Sequence, residues 1–320
     1  MSILAFVESN EGKMKKNSFE VISYARALAN NLSNELTVLC FNSDNSNDAS
    51  TYGADKIINI RNKDLIEFKA RDYADAINQV ANKINSKIIV LGGSSNSKYL
   101  APSLAIKFDA GYLSNVVSLP IKLDPFIVKR STFSNKAFSE SSINTDRKII
   151  GLSTNSFGTN ERKSNPEIIE QDLSIKKTKL KVDSVEMFEN KISIADADIV
   201  VSAGRGLKGP EHWGIIEELA KTLGAATACS KPVSDLGWRP HSEHVGQTGK
   251  PVSTNLYIAI GISGAIQHLA GVSSSKIKLV INTDPEAPFF KAADYGILGD
   301  AFDVVPRLNE KLKAFKAENN

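Results

Sequence analysis

The sequence predicts an α/β protein of two domains, each built on a largely parallel sheet. Its length of 320 residues exceeds what one hydrophobic core usually fills. Short apolar runs alternate with segments of helical periodicity, and several of the runs end in glycine-rich turns. Strands that alternate with helices form parallel sheets covered on both faces. We place the boundary near residue 190, between an N-terminal α/β domain (1–190) and a C-terminal doubly wound domain (191–320).

The N-terminal half opens with repeated strand–helix units. Apolar runs predict strands at 3–7, 35–41, 56–60 and 87–91, and helical spacing predicts helices at 18–32, 73–84 and 99–107. The fourth strand ends in Gly92-Gly93-Ser94-Ser95, which resembles a phosphate loop but is short and incomplete, so a tight turn is favoured. From Leu113 the pattern changes to short strands at 114–119, 127–133, 148–152 and 176–182. We expect these to extend the first sheet, some of them antiparallel.

The C-terminal half repeats the alternation with longer turns. Strands are predicted at 197–203, 225–229, 256–260 and 276–281, and helices at 211–223, after Gly264, and at 305–315. The strand ends at residues 204, 230, 261 and 282 would then share one edge of the sheet. In open α/β sheets this carboxyl edge is where ligands bind.

A glycine motif follows the first of these strands. The run 204–209, GRGLKG, matches G-x-G-x-x-G between a strand and a helix, the context expected for a dinucleotide. The acidic residue that usually holds the adenosine ribose is missing, because the next strand ends in Ser230-Lys231. Arg205 is interpreted as a charge-assisted contact to a diphosphate; the alternative is a solvated loop arginine.

The stretch 243–271 is the densest in glycine. Glycines at 246, 249, 261, 264 and 271 flank one apolar strand, and a helix opens just after Gly264. Amides at such a helix start attract anions, although an ordinary strand–turn–helix corner is about as well supported by the motif alone. His268 lies one turn into the helix, where its ring could hydrogen-bond a ligand. His241 and His244, in a polar loop, are predicted to lie at the surface.

Composition excludes several function classes. A net charge of +3 gives no reason to invoke nucleic acid or an anionic membrane. No run approaches the roughly 20 apolar residues of a membrane helix, and the N-terminus starts a strand rather than a signal peptide. Cys40 and Cys229 are expected to be buried free thiols in a reducing compartment. These features predict a cytoplasmic protein.

Three segments of the C-terminal half are long and specific: VGQTG at 245–249, GISGAIQHLAG at 261–271 and NTDPEAPFFKAADYGILGD at 282–300. They resemble the flavin-binding segments of the electron-transfer flavoprotein alpha subunit family. The resemblance implies a C-terminal FAD domain and an N-terminal domain that pairs with a beta subunit in a heterodimer. It also implies a redox carrier without a substrate of its own. Such a carrier takes electrons from dehydrogenases of the acyl-CoA type, as in fatty acid oxidation, and passes them to a quinone oxidoreductase.

The resemblance also implies FAD contacts. The matching positions are Arg205, Ser230, Lys231, Val245, Gly246, Gln247, Thr248, Ser263, Gly264, Ala265, Ile266, Gln267, His268, Asn282 and Asp300. It places Thr248 beside flavin N5 and His268 near O2. The chain departs from the family at Lys231, where arginine is usual, and at Thr283, where lysine is usual. Two alternatives remain at this point: an NAD(P)-dependent dehydrogenase that uses the loop 204–209, and a non-redox nucleotide-binding scaffold.

Overall fold

The computed structural model describes residues 2–133, 135–176, 178–185, 193–194 and 197–319. The chain divides into two compact units. Unit 1 comprises Met1–Thr132 and Ala137–Met187, and unit 2 comprises Phe133–Lys136 and Phe188–Asn320. The predicted domain boundary near residue 190 lies outside the described residues. Each unit has its own sheet and its own core.

Unit 1 is built on one large mixed sheet. Its strands are β1 (Ser2–Phe6), β4 (Glu35–Phe41), β5 (Lys56–Ile60), β6 (Ile88–Leu91), β7 (Ala110–Val116), β8 (Lys122–Leu123), β9 (Phe126–Thr132), β10 (Ala137–Ile143), β11 (Arg147–Leu152) and β12 (Glu167–Gln171), while β2 (Ser9–Asn10) and β3 (Lys13–Met14) form a separate hairpin. The order is β10-β9-β7-β11-β6-β1-β4-β5-β12, with β8 on β9. Strands β8, β9 and β10 pair antiparallel, and the others are parallel.

Helices cover both faces of this sheet. They are α1 (Lys16–Leu32), α2 (Ala70–Lys83) and α3 (Ser95–Phe108), with 3₁₀ turns at Ser46–Thr51 and Lys63–Leu65. Successive residues of a strand point to opposite faces, and β1 shows the consequence. Ile3 packs in a cluster with residues of α1, and Leu4 packs in a cluster with residues of α2 and α3. Both faces are therefore buried, which explains why β1 is a continuous apolar run.

The β-rich end of unit 1 differs in detail from the sequence prediction. Strands β8, β10 and β12 were not predicted, and the predicted strand at 176–182 is wrong for the residues that the structure describes there. The backbone N–H groups of Lys176 and Thr178 donate to the carboxylates of Asp75 and Asp72 on α2. These two N–H groups are therefore bonded to side chains of a helix rather than to a neighbouring strand.

Unit 2 is a fully parallel five-stranded sheet. Its strands are β13 (Ile199–Ala203), β14 (Ala226–Cys229), β15 (Leu256–Ile260), β16 (Ile277–Asn282) and β17 (Tyr295–Leu298), and its helices are α4 (Gly214–Leu223), α5 (Lys231–Asp235), α6 (Ile266–Val272), α7 (Phe289–Ala292) and α8 (Ala301–Asn319), with 3₁₀ turns at Arg205–Leu207, Pro210–His212 and His241–Glu243. The order is β14-β13-β15-β16-β17. The chain leaves β13 toward β14 and then returns to the other side of β13, so the direction of winding reverses between β13 and β15.

Two further features concern the cysteine side chains and the length and polarity of the helices. Cys40 and Cys229 are buried free thiols, as predicted, and burial raises the pKa of each to about 12. Among the helices in the described ranges, none combines the length and apolar character that crossing a bilayer requires.

Candidate cofactor site

A cavity of about 550 Å³ opens at the carboxyl edge of the unit 2 sheet. Ligand pockets typically measure about 300–1,000 Å³. The lining residues follow β13, β14, β15 and β16 or belong to the loop before β15: Arg205, Ser230, Lys231, Pro232, His244, Val245, Gly246, Gln247, Thr248, Gly261, Ile262, Ser263, Gly264, Ala265, Gln267, His268, Asn282 and Asp284. The cavity thus lies at the point where the winding reverses, which is where open α/β sheets bind ligands.

The structure brings together nearly all of the residues that the sequence analysis assigned to a cofactor. Two do not line the cavity. Ile266 is the first residue of α6 and is 72 % exposed. Asp300 caps α8, because its Oδ1 accepts the N–H of Phe302, and its Oδ2 lies 3.6 Å from Lys208 Nζ. Five lining residues were not assigned: Pro232, His244, Gly261, Ile262 and Asp284.

The first two glycines of GRGLKG are explained by packing between loops. A Cβ at Gly204 would lie 2.2 Å from the carbonyl oxygen of Gly261, and one at Gly206 would lie 2.6 Å from its Cα. The loops that follow β13 and β15 therefore meet backbone to backbone. This close approach carries Arg205 to the cavity, and it accounts for the motif without the NAD ribose contact that the sequence lacks.

Glycines also set the opposite wall. Gly264 has φ +86°, and a Cβ there would lie 2.6 Å from the backbone nitrogen of Phe289. A Cβ at Gly271 would lie 2.5 Å from Gly246 Cα, so α6 packs directly against the loop 245–249. The N–H of Gln247 donates to the carbonyl of Gln267 at 2.8 Å and fixes this contact. Larger residues at 264 or 271 would displace the wall.

The charges around the cavity suit an anionic ligand. Within the described residues, the side chains of Arg205 and Lys231 make no hydrogen bond or ion pair, and both are exposed. Lys208, in the same loop as Arg205, is instead paired with Asp300 and lies over the ring of Phe302. The lining carboxylate, Asp284, accepts the N–H of Glu286. The two cations are therefore available to a diphosphate.

Two histidines contribute imidazoles to the cavity. His268 is buried, and its Nε2 lies 2.9 Å from the hydroxyl oxygen of Tyr257. Burial lowers the pKa of His268 to about 4, with a smaller contribution from His244 and an opposing one from the backbone of Val245. The ring is therefore neutral at pH 7. The prediction that His244 lies at the surface is wrong: its side chain is buried against the cavity, while His241 is exposed.

These residues fit a large anionic cofactor. The cavity volume lies within the usual range of ligand pockets, its cations lack partners in the described structure, and glycines shape two of its walls. The fold and the site together define an α/β protein that binds a dinucleotide cofactor at the winding reversal of a parallel sheet.

Comparison with known proteins identifies the family. Residues 193–273 match the electron transfer flavoprotein FAD-binding domain, and residues 3–176 match the electron transfer flavoprotein domain. The chain is 33 % identical to the electron transfer flavoprotein subunit alpha of Bacillus subtilis over 97 % of both chains. It is 34 % identical to that of Thermoanaerobacterium thermosaccharolyticum over 98 % of both. It is also 31 % identical to protein FixB of Clostridium saccharobutylicum, over 97 % of this chain and 96 % of that one.

The chain belongs to the electron transfer flavoprotein family. The predicted family, α/β fold, FAD cofactor and electron-transfer function are thereby confirmed. The alternatives of a nicotinamide-dependent dehydrogenase and of a non-redox scaffold are not favoured.

Proposed function

We propose that this chain is the FAD-carrying alpha subunit of a heterodimer and that the unit 2 cavity is where the FAD binds. The observation that carries this proposal is the combination of Arg205 and Lys231, two cations without partners in the described structure, at a 550 Å³ cavity. Arg205 belongs to a loop whose backbone is fixed by glycine contacts, and Lys231 is the first residue of α5, so an anionic ligand meets two cations on positions that the fold holds in place.

The lining residues divide by position. Arg205 follows β13 and is assigned to the FAD diphosphate, because its guanidinium can donate two parallel hydrogen bonds to phosphate oxygens. Lys231 and His268 are assigned to the N1 and O2 end of the flavin, and Thr248 to N5. When bound, FAD supplies the redox chemistry, and the protein supplies orientation and electrostatics. A cation or an N–H donor beside N1 and O2 stabilises negative charge there and so favours the reduced cofactor.

The pairing with a beta subunit is supported by family membership and by surface composition. Ile121, Leu123 and Phe138, on the β-rich part of unit 1, are 54 %, 39 % and 64 % exposed. Phe138 lies on β10, which is an edge strand. Exposed apolar side chains near an unpaired strand edge are a liability unless another chain covers them.

For electron donors we propose dehydrogenases of the acyl-CoA type, and for the acceptor a quinone oxidoreductase. These roles are supported by the family alone. A cytoplasmic location is supported by the two free, buried thiols, which suit a reducing compartment.

An absorption spectrum of the co-purified subunits tests the proposal. The pair should show flavin bands that bleach when an acyl-CoA dehydrogenase and its substrate are added. A matched sample with Arg205→Ala should lose flavin during purification, whereas Lys208→Ala should keep it. A colourless wild-type pair that binds no FAD on reconstitution would contradict the proposed site, and flavin that the dehydrogenase cannot bleach would contradict the proposed donor only.

A further inference from the structure

His244 is a buried imidazole at the cavity wall to which the proposed function assigns no role. Its side chain is 2 % exposed, and it lines the cavity. Within the described ranges neither ring nitrogen makes a hydrogen bond, and Nδ1 is shielded from solvent. A buried polar group without a partner costs about 1–3 kcal/mol. A ring held in this state beside a cofactor cavity indicates that a ligand completes its hydrogen bonding.

The loop 245–249 is shaped around this ring. A Cβ at Gly249 would lie 2.8 Å from Cγ and Nδ1 of His244, and one at Gly246 would lie 3.4 Å from its Nε2. The carbonyl of His244 accepts the N–H of Lys250 at 2.9 Å. Two glycines therefore leave room for the imidazole, and the backbone holds it at the wall.

The charges that face His244 come from three elements. Helix α5 contributes Lys231 and Asp235, the turn at His241–Glu243 contributes His241, whose ring centroid is 5.2 Å away, and α6 contributes His268. Burial, then His241 and Lys231, lower the pKa of His244, and Asp235 opposes them. The ring is thus neutral at pH 7. Negative charge arriving in the cavity favours the protonated ring and reverses this balance.

We propose that His244 hydrogen-bonds the bound FAD and gains a proton when the FAD is reduced. The inference rests on the proposed function. Uptake of two electrons and one proton leaves the cofactor one unit more negative than before. The second proton, taken from solvent by the imidazole of His244, balances that charge; both electrons stay on the cofactor and no protein bond breaks. By linkage, the imidazolium in turn favours the reduced cofactor.

The experiment measures protons taken up as the FAD-loaded heterodimer is reduced electrochemically in weakly buffered solution with an indicator dye. Near pH 6.5, wild type should take up as much as about one proton per FAD more than His244→Gln. His212→Gln, at an exposed histidine that does not line the cavity and is not among the groups that shift the pKa of His244, is the matched control and should behave as wild type. Glutamine can still hydrogen-bond, so His244→Gln should keep FAD, while His244→Ala should bind oxidised FAD about tenfold more weakly.

Equal proton uptake by wild type and His244→Gln would overturn the inference. A wild-type uptake that stays constant between about pH 5.5 and pH 8 would also overturn the inference, because it leaves no titrating group at the cofactor. Should His244→Gln fail to fold, His244→Asn tests the same difference, because its amide likewise cannot gain a proton. A wild-type heterodimer without flavin would overturn the proposed function as well. If wild type carries flavin and its proton uptake equals that of His244→Gln, only the role of His244 is overturned.

Discussion

The two sheets of this protein differ in the charged side chains at the carboxyl ends of their central strands, which are paired in one sheet and, within the described residues, unpaired in the other. Winding also reverses in unit 1, between β1 and β6. There, at the start of α3, the carboxylate of Glu8 accepts hydrogen bonds from the hydroxyls of Ser94 and Ser97 and from Lys15 Nζ. At the reversal in unit 2, Arg205 and Lys231 make no such pairs among the described residues. The cavity beside Glu8 measures about 20 Å³, against about 550 Å³ in unit 2.

The comparison shows that the fold supplies a sheet edge at which ligands can bind, and that a few side chains decide whether a ligand binds there. A cavity of about 20 Å³ has room for about one water. In unit 1 the protein's own carboxylate occupies the position where a phosphate could otherwise bind, so the loop 92–95 is the tight turn that the sequence analysis favoured. In unit 2 the corresponding position is the one to which we assign the cofactor. Equivalent topology thus gives one structural edge and one functional edge.

Filling the glycine contact behind the cavity should have the largest effect. Gly271→Ala places a methyl group 2.5 Å from Gly246 Cα. The clashing atoms belong to the backbone, so relieving the clash requires the backbone to move. We expect a loss of about 3 kcal/mol in the free energy of unfolding, the upper end for overpacking, together with loss of FAD. Gly214→Ala, on α4 with nothing within 4 Å, is the control and should be neutral or slightly stabilising. Equal stability of the two variants in urea titrations would contradict the close packing of α6.

Removing the cation nearest the predicted diphosphate should come next. Arg205→Ala should weaken FAD binding by about 1.5–3 kcal/mol, or roughly tenfold to a hundredfold, in a fluorescence titration. Lys208→Ala removes a cation from the same loop that is already paired with Asp300 and should change the affinity little. If the two substitutions weakened binding equally, the comparison between paired and unpaired cations would fail.

Neutralising the carboxylate of unit 1 should affect stability and leave the cofactor alone. Glu8→Gln keeps the shape but loses charge-assisted bonds, so the free energy of unfolding should fall by about 1.5 kcal/mol. Glu11→Gln, an exposed neighbour, should have no measurable effect. FAD bound per heterodimer should be unchanged in both. A gain of nucleotide binding at unit 1 in Glu8→Gln would sharpen the comparison by showing that one carboxylate closes that edge.

Changes at Lys231 should be the smallest. Lys231→Ala should lower the first reduction potential by tens of millivolts, where about 59 mV corresponds to a tenfold change for one electron. Lys231→Arg should raise it, because a planar guanidinium can approach the ring more closely than a hydrated ammonium. Lys221→Ala, on the exposed face of α4, is the charge-matched control. Identical potentials for all four proteins in a spectroelectrochemical titration would remove Lys231 from the flavin environment.

The sequence predicted unit 2 better than unit 1 for physical reasons. Four of its five strands were predicted, each followed by a glycine or a short polar turn, whereas β17 was not. The same local signals located the start of α6. By contrast, the alternation at 176–182 resembled a strand, although the N–H groups of Lys176 and Thr178 bond to side chains of α2. His244 was misplaced because its polar surroundings, RPHSEH, indicate a surface loop. Its burial depends on Gly246 and Gly249, and this contact could be recognised only from the fold.

Hydrogen–deuterium exchange of the heterodimer with and without FAD tests the central claim most directly. The account predicts that FAD protects the amides of the loop 204–208, the loop 245–249 and the turn 261–268, which surround the unit 2 cavity. It predicts no protection at residues 92–97, where Glu8 already occupies the edge. Protection at 92–97 with none at 245–249 would contradict the assignment of FAD to unit 2.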